Sequence, residues 1–413
     1  MKRLCMLFLA TLLFCTACGK VPQGQLEQTE TTDGNQQTSE TDLANTETET
    51  GTEVITDSQI QEDTQMKEDT QIREDAQTEQ SSEAVPEPEV VEIVVSAVGD
   101  CTLGTNQKQK YNSKSFHYYY DQKGDEYFLK NVKHIFEADD FTIVNLEGTL
   151  TNSENIRASK TWNHKGRPEY VNILTKASVE AVTLGNNHIM DYQEEGVADT
   201  ISTVKNAGLE YALSGDWGNH FGLYETKHGI KIGFVSVNEY YDGKRCYRWL
   251  ENGLNELREK GADIVIAATH WGGDKTHEIE DAQKDMGKWC IDLGYDLVLG
   301  CHPHVLQGVE EYKGKFIVYS MGNFCYGGNK NPPEKESMIF QTTFTFVDGV
   351  LQPQTEGKVI PCQLSSVTSK NDYSPIILEG DKAQQVIDNL NKYSEGLNTV
   401  IEDDGTVRAE SEE

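Results

Sequence analysis

Basic residues are scarce in this chain. Its 36 Lys and Arg stand against 68 Asp and Glu, giving a formal net charge of −32 over 413 residues. That balance speaks against nucleic acid as a partner. Long apolar runs are missing too. The stretch from Leu4 to Phe14, broken only by Cys5 and Thr11, is too short to span a bilayer comfortably, and no other segment approaches that length. Aromatic residues are absent from Gly19 to Pro88, which excludes a packed core there. Beyond Cys18 no C-x-x-C pair occurs, so neither a zinc ribbon nor a thioredoxin-type redox motif is written in the chain.

What is present begins with an address. Lys2 and Arg3 precede the apolar run, and Cys15-Thr16-Ala17-Cys18 follows it, with small residues just before Cys18. The pattern is a secretory signal (1–18) ending in a lipobox, with Cys18 as the lipid-modified first residue of the mature chain. Cys15 departs from it, standing where an aliphatic residue is usual. The expected location is therefore outside the cell, lipid-anchored to the outer face of the cytoplasmic membrane. An ordinary signal peptide cleaved after Ala17 is the alternative.

From Gly19 to Pro88 the chain has eighteen acidic and three basic residues, so the stretch carries −15. It includes the imperfect hexapeptide repeat Glu62-Asp63-Thr64-Gln65-Met66-Lys67, Glu68-Asp69-Thr70-Gln71-Ile72-Arg73. Six-residue spacing gives Met66 and Ile72 no common helical seam. With so little apolar surface to offset ordering entropy, residues 19–89 read as a disordered acidic linker, a spacer between membrane and domain.

The texture changes at Val90. Strand-like runs at Val91–Val98, Phe141–Leu146, Val179–Leu184, Lys231–Val237, Asp263–Thr269 and Asp296–Leu299 alternate with helical spacing at Tyr127–Glu137, Glu169–Ala177, Gly196–Asn206, Leu250–Lys260 and Ala282–Leu293. Near-continuous apolar strands between helices predict an α/β domain with buried sheets over 90–394. Residues 395–413 read as an acidic C-terminal tail, frayed from Glu402 on. The domain cysteines Cys101, Cys246, Cys290, Cys301, Cys325 and Cys362 are expected mostly as free thiols in small core positions, a disulfide among them staying open.

In α/β sheets ligands gather beyond the carboxyl ends of strands. Here five strand ends carry chemistry: Gly99-Asp100, Asn145-Leu146-Glu147-Gly148, Gly185-Asn186-Asn187-His188 with Asp191, His270-Trp271-Gly272, and His302-Pro303-His304. Taken singly, each has a plain explanation as a turn, a cap or a packed imidazole. Their coincidence points to one site. Mixed carboxylate, amide and imidazole donors suit Mn, Fe or Zn better than Ca or Mg, and such ions in pairs hydrolyse phosphate esters. His117, His134, His164, His220, His228 and His277 receive no role.

The order of these motifs, together with Arg167-Pro168-Glu169-Tyr170-Val171 and Ser320-Met321-Gly322-Asn323-Phe324, resembles the poly-γ-glutamate capsule-synthesis (CapA) family from about Val91 to Gly328. That family lies in the calcineurin-like metallophosphatase superfamily. The resemblance implies a four-layer α/β/β/α sandwich and one or two divalent metal ions. By position, Asp100 and His304 match ligands of a first metal, Glu147 a bridging carboxylate, and Asn187, His270 and His302 ligands of a second. His188 matches the catalytic histidine, with Asp191 orienting it. Asn145, Asn186, Trp271 and Asn323 are expected at the rim, toward substrate. Three departures stand out: Thr102 where the superfamily has a metal-binding His, Glu147 where it has Asp, and Asp274 where the family more usually has Glu.

Three functions follow from the resemblance. One is synthesis, export or anchoring of an anionic envelope polymer of poly-γ-glutamate type, with that polymer or its membrane synthesis complex as partner. Another is an exported metal-dependent phosphoesterase or other hydrolase. The last is a non-catalytic member of an envelope assembly.

Overall fold

The computed structural model describes residues 87–410 apart from Asp216, Gly218 and Gln354. The expected signal segment with Cys18, the linker up to residue 86 and the last three residues lie outside the described residues. All described residues belong to the unit Ser82–Glu413.

Seven strands position the site: β1 (Val90–Cys101), β2 (Phe141–Leu146), β3 (Ala181–Thr183), β4 (Ile264–His270), β5 (Leu297–Cys301), β6 (Lys315–Val318) and β7 (Glu336–Val347). β1 is central to a ten-stranded sheet. It pairs parallel with β2, which pairs parallel with β3, and antiparallel with β7 on its other side. β4 is central to a six-stranded sheet, parallel to β5 and to Lys231–Asn238, with β6 parallel beyond β5. Val90–Cys101 and Glu336–Val347 are each 12 residues long. The antiparallel partner explains why β1 is longer than its apolar run: its first residues are zipped to β7 rather than buried on both faces.

Period-two alternation divides the core. Ile93, Val95, Ala97, Phe141 and Ile143 of the first sheet meet Ile264, Ile266, Leu297, Leu299 and Phe316 of the second in one buried cluster. Val98, Val144, Leu146 and Val182 point the other way, packing with Phe128, Val132, Phe136, Leu174 and the helix α1 (Gln193–Asn206). On the far side of the second sheet, Val265, Ala267 and Val298 pack under α2 (Arg245–Glu259) and α3 (Asp281–Leu293). In α2 the buried positions Cys246, Trp249, Leu250, Gly253, Leu254 and Leu257 follow the three-and-four spacing of one helical face. The layers are helix, sheet, sheet, helix, which is the sandwich the resemblance implied.

Two expectations need correction. The helix expected over Tyr127–Glu137 is broken into a 3-10 turn at Asp125–Tyr127 and one α turn at Lys133–Phe136. Its apolar spacing served core contacts that irregular backbone also supplies. The C-terminal segment does not fray. After a helix α4 (Asp381–Tyr393), Thr399–Ile401 and Thr406–Ala409 form a hairpin that joins the ten-stranded sheet through Glu356–Gln363. Ile401 and Val407 enter the inter-sheet core, so two apolar side chains outweigh the surrounding acidic composition. All six domain cysteines are buried and unpaired, as the core reading expected. No helix among the described residues is long and apolar enough to cross a membrane.

Candidate metal centre

Parallel strands of both sheets end at one edge, and that edge collects the polar residues. Asp100 stands at the end of β1, where the pairing with β2 shifts register between Val98 and Asp100. Gly99 makes the shift feasible: a Cβ there would sit 1.9 Å from the Gly322 carbonyl oxygen. Asp100 N donates to that same oxygen at 2.9 Å. Glu147 follows β2, Asn187 and His188 follow β3, His270 ends β4, and His302 and His304 follow β5. Both latter histidines have positive φ, 104° and 61°. L-residues rarely adopt such backbone unless the surroundings impose it. Here Lys275 N donates to the Pro303 carbonyl at 2.8 Å and Ser320 Oγ to that of Val305 at 2.7 Å, so the loop is held from outside.

The residues converge in two groups that share one carboxylate. Glu147, His270 and His302 bring ligand atoms within 4.8 Å of one another, as do Asp100, Glu147 and His304. Glu147 Oε1 is the focus: the Nε2 atoms of His304, His188 and His270 lie 3.6, 3.8 and 3.9 Å from it. Those separations are too long for hydrogen bonds and suit donors arranged around a small cation. Glu147 Oε1, Asn187 Oδ1 and His270 Nε2 are buried without a hydrogen-bond partner, and Asp100 Oδ2 has only the His304 ring, 3.0 Å away. Leaving even one such group unsatisfied costs about 1–3 kcal/mol. Three at one spot, all lone-pair donors, with the Asp100 carboxylate beside them, fit a bound divalent ion. Asn187 is thus a fourth donor beside His302, whose Nδ1 is 3.4 Å from Asn187 Nδ2.

Charge in the site follows from burial. Burial holds His270 and His188 well below the usual imidazole range, and His302 at about 4. These rings are neutral at pH 7 and offer lone pairs. Burial pushes the Glu147 carboxyl up, against the pull of His304. For His304, burial works downward but is overcome by Glu147 and Asp100, which raise it to about 10. His304 Nδ1 lies 3.0 Å from both Asp100 Oδ2 and Asn323 Oδ1. Raised to about 10, the ring carries a proton on both nitrogens at pH 7, Nδ1–H toward these acceptors and Nε2–H toward Glu147, and it would give up the Nε2 proton to serve as a ligand.

His188 has its own scaffold. Its Nδ1 is 2.6 Å from Asp191 Oδ2, so the ring proton points to the carboxylate and Nε2 to the site. Asp191 also accepts from Lys160 Nζ at 2.8 Å and from His164 N at 2.5 Å. Lys160 Nζ further donates to the Asn187 carbonyl at 2.6 Å and stands 3.0 Å from His188 Nδ1. The His164 ring stacks on that of His188, centroids 4.1 Å apart and planes within 1°. Sequence reasoning missed Lys160 and His164. Both come from the segment before Arg167, which has no strong periodicity, and His164 is brought in by the short strand His164–Gly166.

Three of the expected rim residues are not at the rim. Trp271 is 1% exposed; its Nε1 donates to the Tyr319 carbonyl at 2.8 Å and its ring packs against α3. Its neighbour His270 points to the site, and alternation along the strand turns Trp271 to the opposite layer. Asn145 and Asn186 lie beneath the ligands. Asn145 Nδ2 donates to Asp100 Oδ1 at 2.7 Å, and Asn186 Nδ2 to Asn145 Oδ1 at 3.2 Å and the Leu146 carbonyl at 2.9 Å. They orient ligands instead of touching solvent. Asn323 does border the opening, where its Nδ2 donates to the His304 carbonyl at 2.8 Å. Thr102, the missing histidine, donates through Oγ1 to Glu147 Oε2 at 3.2 Å. The Asp100 group therefore has three donors where the Glu147–His270–His302–Asn187 group has four.

Above the donors opens a cleft of about 1150 Å³, lined in part by His188, His302, His304, Tyr326 and Lys160.

Known proteins resemble the chain as follows. The family model described as bacterial capsule synthesis protein PGA_cap matches residues 94–327. The PGA biosynthesis protein CapA of Bacillus subtilis (strain 168) is 30% identical over 223 residues, 50% of this chain and 58% of that protein. The capsule biosynthesis protein CapA of Bacillus anthracis is 26% identical over 262 residues, 59% of this chain and 62% of that one. A probable polyglutamine synthesis accessory protein of Mycobacterium tuberculosis (strain ATCC 25618 / H37Rv) is 26% identical over 210 residues, 45% and 55% of the two chains. The match thus spans less than two thirds of each of these relatives. Among solved structures, a hypothetical protein from Thermus thermophilus aligns with TM-score 0.41 and 17% identity over 65% of this chain and 99% of its own.

Proposed function

The chain belongs to the bacterial capsule synthesis protein PGA_cap family, and on that premise we propose that it performs a metal-dependent step on an anionic envelope polymer of poly-γ-glutamate type, outside the cell. The observation that carries the metal-dependent part is the pair of donor groups sharing Glu147, with buried atoms of Glu147, Asn187 and His270 left without partners. A divalent ion held there supplies Lewis acidity toward a carbonyl or phosphoryl oxygen. The protein's own residues do the rest. Asp191 keeps the His188 proton on Nδ1, so Nε2 accepts a proton, or returns one, beside the shared carboxylate. Lys160 ties the Asn187 carbonyl and Asp191 together, fixing the donor amide and His188 as one unit. The polymer as substrate rests on the names of the relatives, and the exported, lipid-anchored location on the N-terminal sequence.

The test combines metal analysis with turnover. Purified chain should bind Mn, Fe or Zn at up to two ions per molecule. Glu147→Ala should strip both positions, and His302→Ala only the better supplied one. Loaded protein should act on poly-γ-glutamate and lose that activity in His188→Ala. Retention of full metal content by Glu147→Ala would remove the shared-site reading. Turnover of phosphodiesters but not of the polymer would favour the phosphoesterase alternative.

A further inference from the structure

The cleft over the metal centre differs in charge from the rest of the molecule. In a chain of net charge −32, its lining includes Lys108, Lys110, Lys160, Lys275 and Lys330 against only Asp274 and Glu334. Lys160 is engaged with Asp191 and Lys275 with Asp274. Glu334 faces His277 at 3.2 Å. Lys108, Lys110 and Lys330 have no acidic partner among the described residues; Lys330 Nζ contacts only the Lys110 carbonyl, at 3.4 Å. Unpaired like charges gathered in one concavity repel one another, so they mark a place where an anion is expected.

Aromatic rings stand among these lysines. Trp162 is 51%, Tyr240 61% and Tyr241 41% exposed, and all three line the cleft. Lys108 Nζ lies 4.3 Å from the Trp162 ring centroid, and the Tyr240 ring is 5.5 Å from that of His302. Exposed large rings grouped at an opening mark a contact surface, unlike scattered ones. Among the described residues no arginine lines the cleft, and arginine's planar fork is what phosphate recognition favours, whereas lysine acts as a point charge. At about 1150 Å³ the space exceeds the 300–1000 Å³ typical of a small-molecule site.

We propose that this lysine-and-aromatic cleft is a track for several consecutive units of a linear polycarboxylate, gripped by Lys108, Lys110 and Lys330 and packed along its methylenes by Trp162, Tyr240 and Tyr241. The proposal deepens the functional reading above and rests on it for the kind of polymer, but the binding contacts lie outside the metal ligands. Recognition is by charge density and length. A single glutamate meets one lysine; a polymer meets several at once, and the linked contacts multiply.

The test titrates the full-length chain at low salt with poly-γ-glutamate, free glutamate, polyphosphate and a neutral dextran, following tryptophan fluorescence and calorimetric heat. Poly-γ-glutamate should bind, more weakly as salt rises, while free glutamate and dextran should not bind measurably. Lys108→Glu with Lys330→Glu should weaken polymer binding about tenfold or more, two charge reversals at the upper end of exposed-pair effects. Metal content should stay unchanged, and Lys108→Met with Lys330→Met should show a smaller loss of the same sign. Lys260→Glu with Lys382→Glu, outside the cleft, should leave binding as it was. Equal weakening by that control pair, equal affinity for free glutamate, or tighter binding of polyphosphate would each overturn the track. Polymer binding that survives Glu147→Ala while turnover vanishes supports the track independently of the catalytic reading. Loss of metal-dependent turnover with intact polymer binding counts against the functional proposal alone.

Discussion

At the residue scale the donor set is a question of unsatisfied lone pairs. Glu147, Asn187 and His270 each keep a buried atom without a partner, whereas Asn145 and Asn186 satisfy their amides against Asp100, one another and the Leu146 carbonyl. Those two pairs of roles could not be separated from the strings Asn-Leu-Glu and Asn-Asn-His. Both asparagines next to a ligand read alike until side-chain direction is known. Asp191 sits on the outer side of His188, and Asp191→Asn should lower turnover or metal affinity by about 10–100-fold, the usual loss for a group that orients a metal-site residue. Steady-state kinetics and metal titration of that variant check it; unchanged behaviour would mean that Lys160 and His164 alone hold the ring. Trp271 belongs to the core, and Trp271→Ala should cost about 3–5 kcal/mol of unfolding free energy, read by denaturant titration with the metal stoichiometry of the folded fraction preserved.

At the element scale, the start of β2 carries a pH-sensitive joint. Thr142 N donates to Glu180 Oε2 at 2.7 Å and Thr142 Oγ1 to Asp139 Oδ2 at 2.7 Å. Burial raises the Glu180 carboxyl to about 7, with Asp139 adding repulsion, and burial raises Asp139 to about 6. Both pKa values lie above their unfolded values, so the folded chain holds more protons between about pH 4.5 and 7. By linkage, their contribution to stability is present below that window and is lost as pH rises through it. Because the buried neutral histidines work in the opposite sense, the joint is read by difference: Glu180→Gln should gain stability relative to the parent as thermal unfolding is scanned from about pH 5 to 7.5, and a difference independent of pH would end this assignment. The hairpin Thr399–Ala409 makes a second element-scale prediction. Truncation after Ser394 should destabilise the domain, because Ile401 and Val407 leave the inter-sheet core. A truncated chain with unchanged unfolding midpoint would restore the frayed-tail reading. The sequence hid this hairpin because two buried residues among acidic ones give too short an alternation to register.

At the scale of the whole molecule the charge is divided. The stretch from Gly19 to Pro88 carries −15, whereas the cleft presents three lysines without acidic partners among the described residues. The lipid-anchor proposal predicts that Cys18→Ser moves the chain from the membrane fraction to the soluble exported fraction, read by fractionation and immunoblot; membrane association unaffected by the change would end that proposal. The α/β class, the strand ends and the order of the donor motifs were legible in the sequence, because apolar period and glycine-flanked polar residues are local signals that survive without coordinates. Which polar residue at each strand end faces the site and which braces it was decided only by the tertiary structure. So were the recruitment of Lys160 and His164, the inward turn of Trp271 and the pairing of the C-terminal hairpin. The reason is physical: a strand's period fixes which face a side chain takes, but its partner comes from another strand or loop tens to hundreds of residues away. Only packing both sheets together brings those atoms within reach of one another.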